Sequence, residues 1–173
     1  MKYSAVILAA GKGVRMCSQM PKVLHQVAGK PMIWYVVKAV KEAGIDDITL
    51  VIGHGREMVE ETLAGENLRF VVQEEQLGTG YALMQAQDSI NPDNTLVVLA
   101  GDTPLLEGTT LKKLLDFHQQ QQSLATVLSG LLPDPYGYGR IIRQADGGLE
   151  RIVEEKDASP EEKEITEINT GMY

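Results

Sequence analysis

Between Tyr3 and Asp102 the chain alternates short apolar runs with segments of helical periodicity, and few folds accommodate that alternation. The runs are YSAVILA (3–9), DITLVIG (47–53), RFVVQ (69–73) and TLVVLAGD (95–102). The first is apolar almost without interruption, as a parallel strand covered on both faces has to be. Between the runs, Met32, Ile33, Val36, Val37 and Val40 recur at helical spacing, and REMVEETLAG (56–65) and GYALMQAQDSI (80–90) read as two further helices. Pro31 suits the first helical position, and Gly44 supplies the stop. Strands separated by helices of this length need right-handed crossovers. The prediction is therefore an α/β fold of Rossmann-like type, a mainly parallel mixed sheet flanked by helices. Thr109 or Thr110 is expected to cap a further helix running to Gln122.

From Ser123 onward the pattern changes to strands and turns: LATVLSGL, RIIRQ, the Asp146-Gly147-Gly148 turn, LERIV and ITEINTGMY. No internal repeat is present, and no linker rich in Pro, Gly or Ser marks two independent domains. The organisation expected is one domain over residues 1–173, with a nucleotide-binding α/β part over 1–122 and a β-rich, sugar-binding part over 123–173.

Composition narrows the function classes. A chain of 173 residues with 43% hydrophobic content can bury a single core. Its 16 basic and 24 acidic residues leave a formal charge of -8, which argues against nucleic acid and against an anionic membrane surface as partners. No apolar run approaches the roughly 20 residues of a membrane span. The single cysteine, Cys17, excludes an intrachain disulfide and a cysteine-rich metal site, and the N-terminus lacks a signal peptide's apolar stretch. A reducing cytoplasm is the expected location.

In an open parallel sheet the ligand crevice lies beyond the carboxyl ends of the strands, and three such ends carry unusual residues. The first is LAAGKGVRMCSQMPKVL (8–24), where Gly11 and Gly13 let backbone N–H groups approach an anion and Lys12, Arg15 and Lys22 supply charge. Met16 stands where the dinucleotide fingerprint has its third glycine, and no Walker loop is present, so the phosphate chemistry is of another kind. The second is LAGD, where Asp102 follows an apolar strand and serves equally well as a turn cap or as a Mg²⁺ ligand, an ion that takes one or two protein carboxylates beside substrate phosphates. The third is QEEQLGTG (73–80), whose amide, hydroxyl and glycines suit the reading of a base or sugar, and suit an ordinary turn and helix start as well. His25, His54 and His118 pair with no nucleophile at a recognised spacing, and Cys17 beside Arg15 reads as a bystander thiol.

Taken together, LAAGKGVRM with SQMPKVL, GKPM, QEEQLGTGYA, LAGDTPLL, DPYGYGRI, IVEEKDA and EINTG resemble the sugar-nucleotidyltransferase family. More narrowly, they are similar to the uridylyltransferase half of the bifunctional bacterial N-acetylglucosamine-1-phosphate uridyltransferases, which are also glucosamine-1-phosphate acetyltransferases. The resemblance runs in order from residue 4 to residue 173. It implies the nucleotide-diphospho-sugar transferase fold and Mg²⁺-dependent transfer of UMP from UTP to N-acetylglucosamine 1-phosphate, giving UDP-N-acetylglucosamine and pyrophosphate for peptidoglycan and lipopolysaccharide precursors. By the same resemblance Leu8, Ala9, Ala10, Gly11, Gln73, Gly78 and Thr79 would hold the uridine, with Gly13, Arg15 and Lys22 around the triphosphate. Arg15 and Lys22 would be the catalytic cations and Asp102 the metal ligand. Ala100, Gly101, Gly139, Glu154, Asn169 and Thr170 would hold the sugar phosphate. Ala100 and Gly101 stand where the family more often has tyrosine-glycine, Tyr81 where it commonly has histidine, and Glu155 where histidine or another polar residue is frequent.

The family's second metal ligand, an asparagine, lies in a segment beyond the position of Tyr173, and its β-helix half, through which family members are homotrimeric, lies further on. The chain is therefore expected to be a C-terminally truncated domain. Two other classes of function stay open on sequence grounds: a relative using another nucleotide such as CTP, or another sugar phosphate, and a catalytically silent nucleotide-binding module.

Overall fold

The computed structural model describes residues 2–11, 13 and 16–173. The chain divides into two compact units, residues 1–122 and 123–173. In the first, β1 (Tyr3–Leu8) is followed by a 3-10 turn at Lys22–Leu24 and a short hairpin of β2 (Gln26–Val27) and β3 (Lys30–Pro31). Then come α1 (Met32–Glu42), β4 (Asp47–Ile52), α2 (Arg56–Thr62), β5 (Arg69–Val72), α3 (Thr79–Gln85), β6 (Thr95–Ala100) and α4 (Gly108–Gln121). Four strands form one sheet in the order β5-β4-β1-β6, every pair parallel. As one of the two interior strands, β1 is buried on both faces: Ala5, Val6 and Ile7 are at most 1% exposed. Its apolar run is the sequence signature of that position.

Register puts the strand ends in line. Leu8 stands opposite Val51 on one side and Ala100 on the other, and Ile52 stands opposite Val72, so all four carboxyl ends share one edge. The chain moves outward from β1 to β4 and β5 and then returns to the far side of β1 as β6. The reversal between β1 and β6 is a topological switch point, where an open α/β sheet forms its crevice.

Local chemistry explains most boundaries. Gly44, at φ 87°, closes α1 by donating its N–H to Lys41 O at 2.9 Å while Ile45 N–H donates to Val40 O at 3.2 Å, a Schellman stop that needs glycine's left-handed freedom. Pro31 is not the first helical residue: it still pairs with Gln26 in the hairpin, and α1 begins one residue later. Neither Thr109 nor Thr110 caps α4, which starts at Gly108. That residue has to be glycine because a Cβ there would lie 2.6 Å from Glu42 Cβ, so close packing on the end of α1, and not a side-chain cap, sets the helix start. The predicted helix over 80–90 is α3 followed by a separate 3-10 turn at Gln87–Ser89.

The second unit contains β7 (Leu128–Leu131), β8 (Arg140–Arg143), β9 (Leu149–Val153), α5 (Pro160–Lys163) and β10 (Glu167–Met172). Its strands form an antiparallel sheet of their own, in the order β7-β10-β8-β9. LATVLSGL is strand only over its second half. Sequence reading passed over α5, although Ser159-Pro160-Glu161-Glu162 is a capping box: the Ser159 hydroxyl accepts from Glu162 N–H at 3.2 Å, and Ser159 N–H donates to the Glu162 carboxylate at 2.8 Å. No described helix is long and apolar enough to cross a membrane.

Candidate functional site

At the switch point the first unit joins its loops by backbone contacts. Gly101 N–H donates to Leu8 O at 2.9 Å, and Ala9 N–H donates to Val51 O at 2.8 Å. A Cβ on Gly101 would meet Ile33 Cδ1 at 2.9 Å and Leu8 O at 3.1 Å, so glycine lets the β6 loop lie against β1. Several of the backbone groups expected at a ligand are thus engaged within the fold. A Cβ on Gly11 would meet no atom within 4 Å, so the backbone there is open to approach.

Two loops meet at Lys22, which begins the 3-10 turn. Gly13, at φ 58°, packs so closely that a Cβ would lie 2.7 Å from Lys22 Cβ. The Lys22 ammonium donates to the Asp102 carboxylate, pairing the glycine loop with the β6 loop across 80 positions of sequence. The side chains are 35% and 30% exposed, so the pair sits at the crevice rim, open to ligand. Behind it, Gly55 in the turn from β4 to α2 has φ 66° and would drive a Cβ to 2.5 Å from Pro21 Cγ. Two glycines therefore clamp the Pro21-Lys22 pair, and neither signal is legible until the chain is folded. Arg15 and Lys12, the other cations expected here, lie outside the described residues.

On the β4–β5 side, Gln73 is buried and continues the sheet by donating its N–H to Ile52 O at 2.8 Å. Its side-chain Nε2 donates to Glu75 O at 2.9 Å. Gln76, unassigned by sequence, donates its Nε2 to Ala10 O at 2.8 Å and so ties the QEEQLGTG loop to the glycine loop. Gly53 completes the junction, since a Cβ there would stand 3.1 Å from both Ala10 O and Gln73 O. An open, polar-lined cleft of about 430 Å³ extends from Gln73 and Gln76 past Gly53, His54 and Arg56. Gly78, at φ 100°, and Thr79 are exposed at the start of α3.

Of the residues expected at the sugar, Ala100 and Gly101 belong to the first unit and the other four to the second. Three of those four are neighbours. A Cβ on Gly139 would lie 3.2 Å from Glu154 Oε1, and Asn169 N–H donates to Gly139 O at 2.8 Å. The Asn169 amide accepts from Gly171 N–H at 3.0 Å and donates to Tyr173 Oη at 2.7 Å. Thr170 does not join them: its hydroxyl donates to Leu128 O at 2.6 Å, which secures the β7 edge beside a bulge in β10. Beneath this group Arg140 is 2% exposed, with its guanidinium on Tyr138 O and on the Glu155 carboxylate. Hydrogen bonding by Arg140 holds the Glu155 carboxyl below the usual carboxylate range. In the sequence Glu155 stands out only as a departure from the family pattern, and its pairing with Arg140 is visible in the fold alone.

Among the described residues no group of three or more His, Cys, Asp or Glu side chains gathers as a metal site. Magnesium nevertheless fits Asp102. That carboxylate is partly exposed at a strand end and already holds a cation, the Lys22 ammonium, and a hard divalent ion asks no more of the protein when phosphate oxygens and water supply the rest.

A parallel sheet of this order, with a glycine loop, a cation and a carboxylate at its switch point, defines a nucleotide-binding class. The chain belongs to the MobA-like NTP transferase domain family, whose model matches residues 5–154. Within that class it is 60% identical over 173 residues to the bifunctional protein GlmU of Syntrophomonas wolfei subsp. wolfei, which aligns with 100% of this chain and 38% of the relative. The GlmU of Caldanaerobacter subterraneus subsp. tengcongensis is 52% identical over 169 residues, covering 98% of this chain and 37% of its own length. That of Clostridioides difficile is 49% identical over 173 residues, covering 100% and 38%. The chain thus spans less than two fifths of these relatives. A Bacillus anthracis crystal structure assigned as a glucose-1-phosphate thymidylyltransferase, in complex with a sucrose, superposes with a TM-score of 0.81 at 24% identity, over 98% of this chain and 70% of that one, and shows the shared fold.

Proposed function

We propose that the chain transfers UMP from UTP to N-acetylglucosamine 1-phosphate, releasing pyrophosphate. The observation that carries the reading is the Lys22–Asp102 pair, packed under Gly13 at the switch point, because it sets a cation and a metal-compatible carboxylate where the phosphates of a nucleotide would lie. The family resemblance supplies the choice of UTP and of the sugar.

A phosphate oxygen of the sugar phosphate attacks the α-phosphorus of UTP in line. The new P–O bond forms as the bond from Pα to its bridging oxygen breaks, and the electron pair leaves with pyrophosphate. The attacking phosphate has its second pKa near 6 and is largely ionised at neutral pH, so no general base is needed. Gly11 and Gly13 let backbone approach the triphosphate, and Lys22 offsets charge on the departing pyrophosphate, with Arg15 as the second cation. Gln73, Gln76, Gly78 and Thr79 line the base and ribose, while Gly139, Glu154 and Asn169 hold the sugar. Asp102 would hold Mg²⁺, which when bound neutralises charge on the phosphates.

The test is a pyrophosphate-release assay with UTP, Mg²⁺ and N-acetylglucosamine 1-phosphate, with CTP and other sugar phosphates as competitors. Release that needs all three components and prefers UTP supports the reading. Preference for another nucleotide or sugar, or nucleotide binding without release, overturns it.

A further inference from the structure

Arg140 is the one charged residue among the described residues to be fully buried, and burying a guanidinium in a small antiparallel unit is costly. A buried ion pair is weak evidence of stabilisation, since a well-packed apolar side chain often does as well. What the guanidinium does here is join the two segments just beyond the end of the β8–β9 ladder, whose last pair is Arg140 and Val153, and tie them to the end of α5. One terminal nitrogen donates to Tyr138 O, in the DPYGYGR loop. The other donates to Glu155 Oε2 at 2.7 Å, in the turn after β9, and more weakly to Lys163 O at 3.4 Å, at the end of α5. The same Glu155 oxygen accepts Gly137 N–H at 3.2 Å, and Lys163 Nζ approaches the other oxygen at 3.8 Å. One carboxylate and one guanidinium thus close the 134–139 loop against the 154–157 turn.

That closure has a consequence beyond folding. Gly139 and Glu154 are the next opposed positions after Arg140 and Val153, the last pair of the β8–β9 ladder, and a Cβ on Gly139 would lie 3.2 Å from Glu154 Oε1. The Arg140 Nε has no hydrogen-bond partner among the described residues, so the side chain is set by its terminal nitrogens alone. We propose that Arg140 and Glu155 are positioning residues that set affinity for the sugar phosphate by holding the loop at Gly139 and the turn at Glu154 together beyond the end of the β8–β9 ladder. The inference rests on the functional reading above, in which Gly139, Glu154 and Asn169 receive that substrate.

Glu155→Gln keeps the shape and removes the charge from a partly exposed side chain, and Arg140→Lys keeps the charge but loses the fork. Three quantities are read in each variant: KM for N-acetylglucosamine 1-phosphate and for UTP, the urea unfolding midpoint, and amide exchange at Gly137 and Asn169. For Glu155→Gln the KM for the sugar phosphate is expected to rise roughly ten- to hundredfold, the scale on which a displaced positioning group acts at a distance. The KM for UTP stays near wild type, the unfolding midpoint falls because the buried guanidinium loses its counter-charge, and Gly137 and Asn169 exchange faster. Arg140→Lys should show the same pattern where it folds. Unchanged KM for the sugar phosphate in Glu155→Gln beside an active wild type removes this inference alone. Both KM values rising together makes the pair merely structural and also overturns it. A wild-type chain that releases no pyrophosphate removes the functional reading and the ligand of this inference with it.

Discussion

Lys22→Met separates two accounts of the Lys22–Asp102 pair, as a fold stabiliser or as part of a phosphate site. Methionine keeps the Cβ and Cγ against which Gly13 packs, at 2.7 and 3.5 Å from the glycine's Cβ position, and removes only the ammonium. With side chains 35% and 30% exposed, the pair belongs to the weakly contributing kind, about 0–1 kcal/mol. For a chain of this length that corresponds to a fall in Tm of at most about 4 °C. Asp102, left unpaired, is hydrated at the rim and adds little further cost. If the ammonium meets charge developing on the leaving phosphates, its loss instead costs about 10²–10³ in turnover, or roughly 3–4 kcal/mol. The two effects differ by several-fold in free energy. Thermal and urea unfolding give the first, and pyrophosphate release with a calorimetric UTP titration gives the second. Turnover and UTP affinity at wild-type level, with a large loss of stability, would refute the assignment and make the pair a structural clasp.

Gln76→Ala removes the 2.8 Å bond to Ala10 O that ties the two loops together. A net hydrogen-bond contribution of about 0.5–1.5 kcal/mol predicts a KM for UTP raised roughly two- to tenfold with kcat little changed, and an unaltered KM would show that the tie does not shape the nucleotide site. Acid sensitivity follows from Asp47 and Glu167. Burial pushes the Asp47 carboxyl up, but hydrogen bonds from Ser4, Arg69 and Asn94 together with the Arg69 charge outweigh it and leave it below its ordinary value. Hydrogen bonding by Arg143 first, and by Ser129 as well, does the same for Glu167 against the effect of burial. Carboxyls depressed in the folded state confer stability that is fully present above their unfolded pKa of about 4 and is lost as pH falls through the folded values. Urea midpoints measured from neutral pH down to about pH 3 should therefore decline more steeply in wild type than in Asp47→Asn, and parallel curves would contradict the shift at Asp47.

The order of strands and helices in the first unit was legible because apolar periodicity is a local property: β1, α1, β4, β5 and β6 each announce themselves within a few residues of their bounds. Helix starts were less so. Pro31 and Thr109 carry the right local chemistry for a start, and the actual positions were decided by a hairpin pair at Gln26 and by Glu42 closing on Gly108. The α5 capping box was readable from Ser159 and Glu162, and the neglected signal was the S-x-x-E spacing itself.

For the candidate site the division is sharper. Residue types alone marked Gly13, Lys22, Asp102 and Gln73 as positions worth attention, because a glycine, a cation, a carboxylate and an amide after apolar strands are chemistry that a sheet edge presents to a ligand. Sequence could not reveal that Lys22 donates to Asp102, that Gln76 reaches Ala10, that Pro21 is clamped by Gly55, or that Thr170 turns to Leu128 while Gly139 faces Glu154. Nor could it show that Arg140 is buried on Glu155. Each of these is a contact between segments distant along the chain or a choice of face along a strand, fixed by sheet register and by close packing between loops. Periodicity and composition determine which elements form. Only the folded chain brings their ends within hydrogen-bonding distance, because the free energy that selects those contacts comes from burial shared by the whole unit.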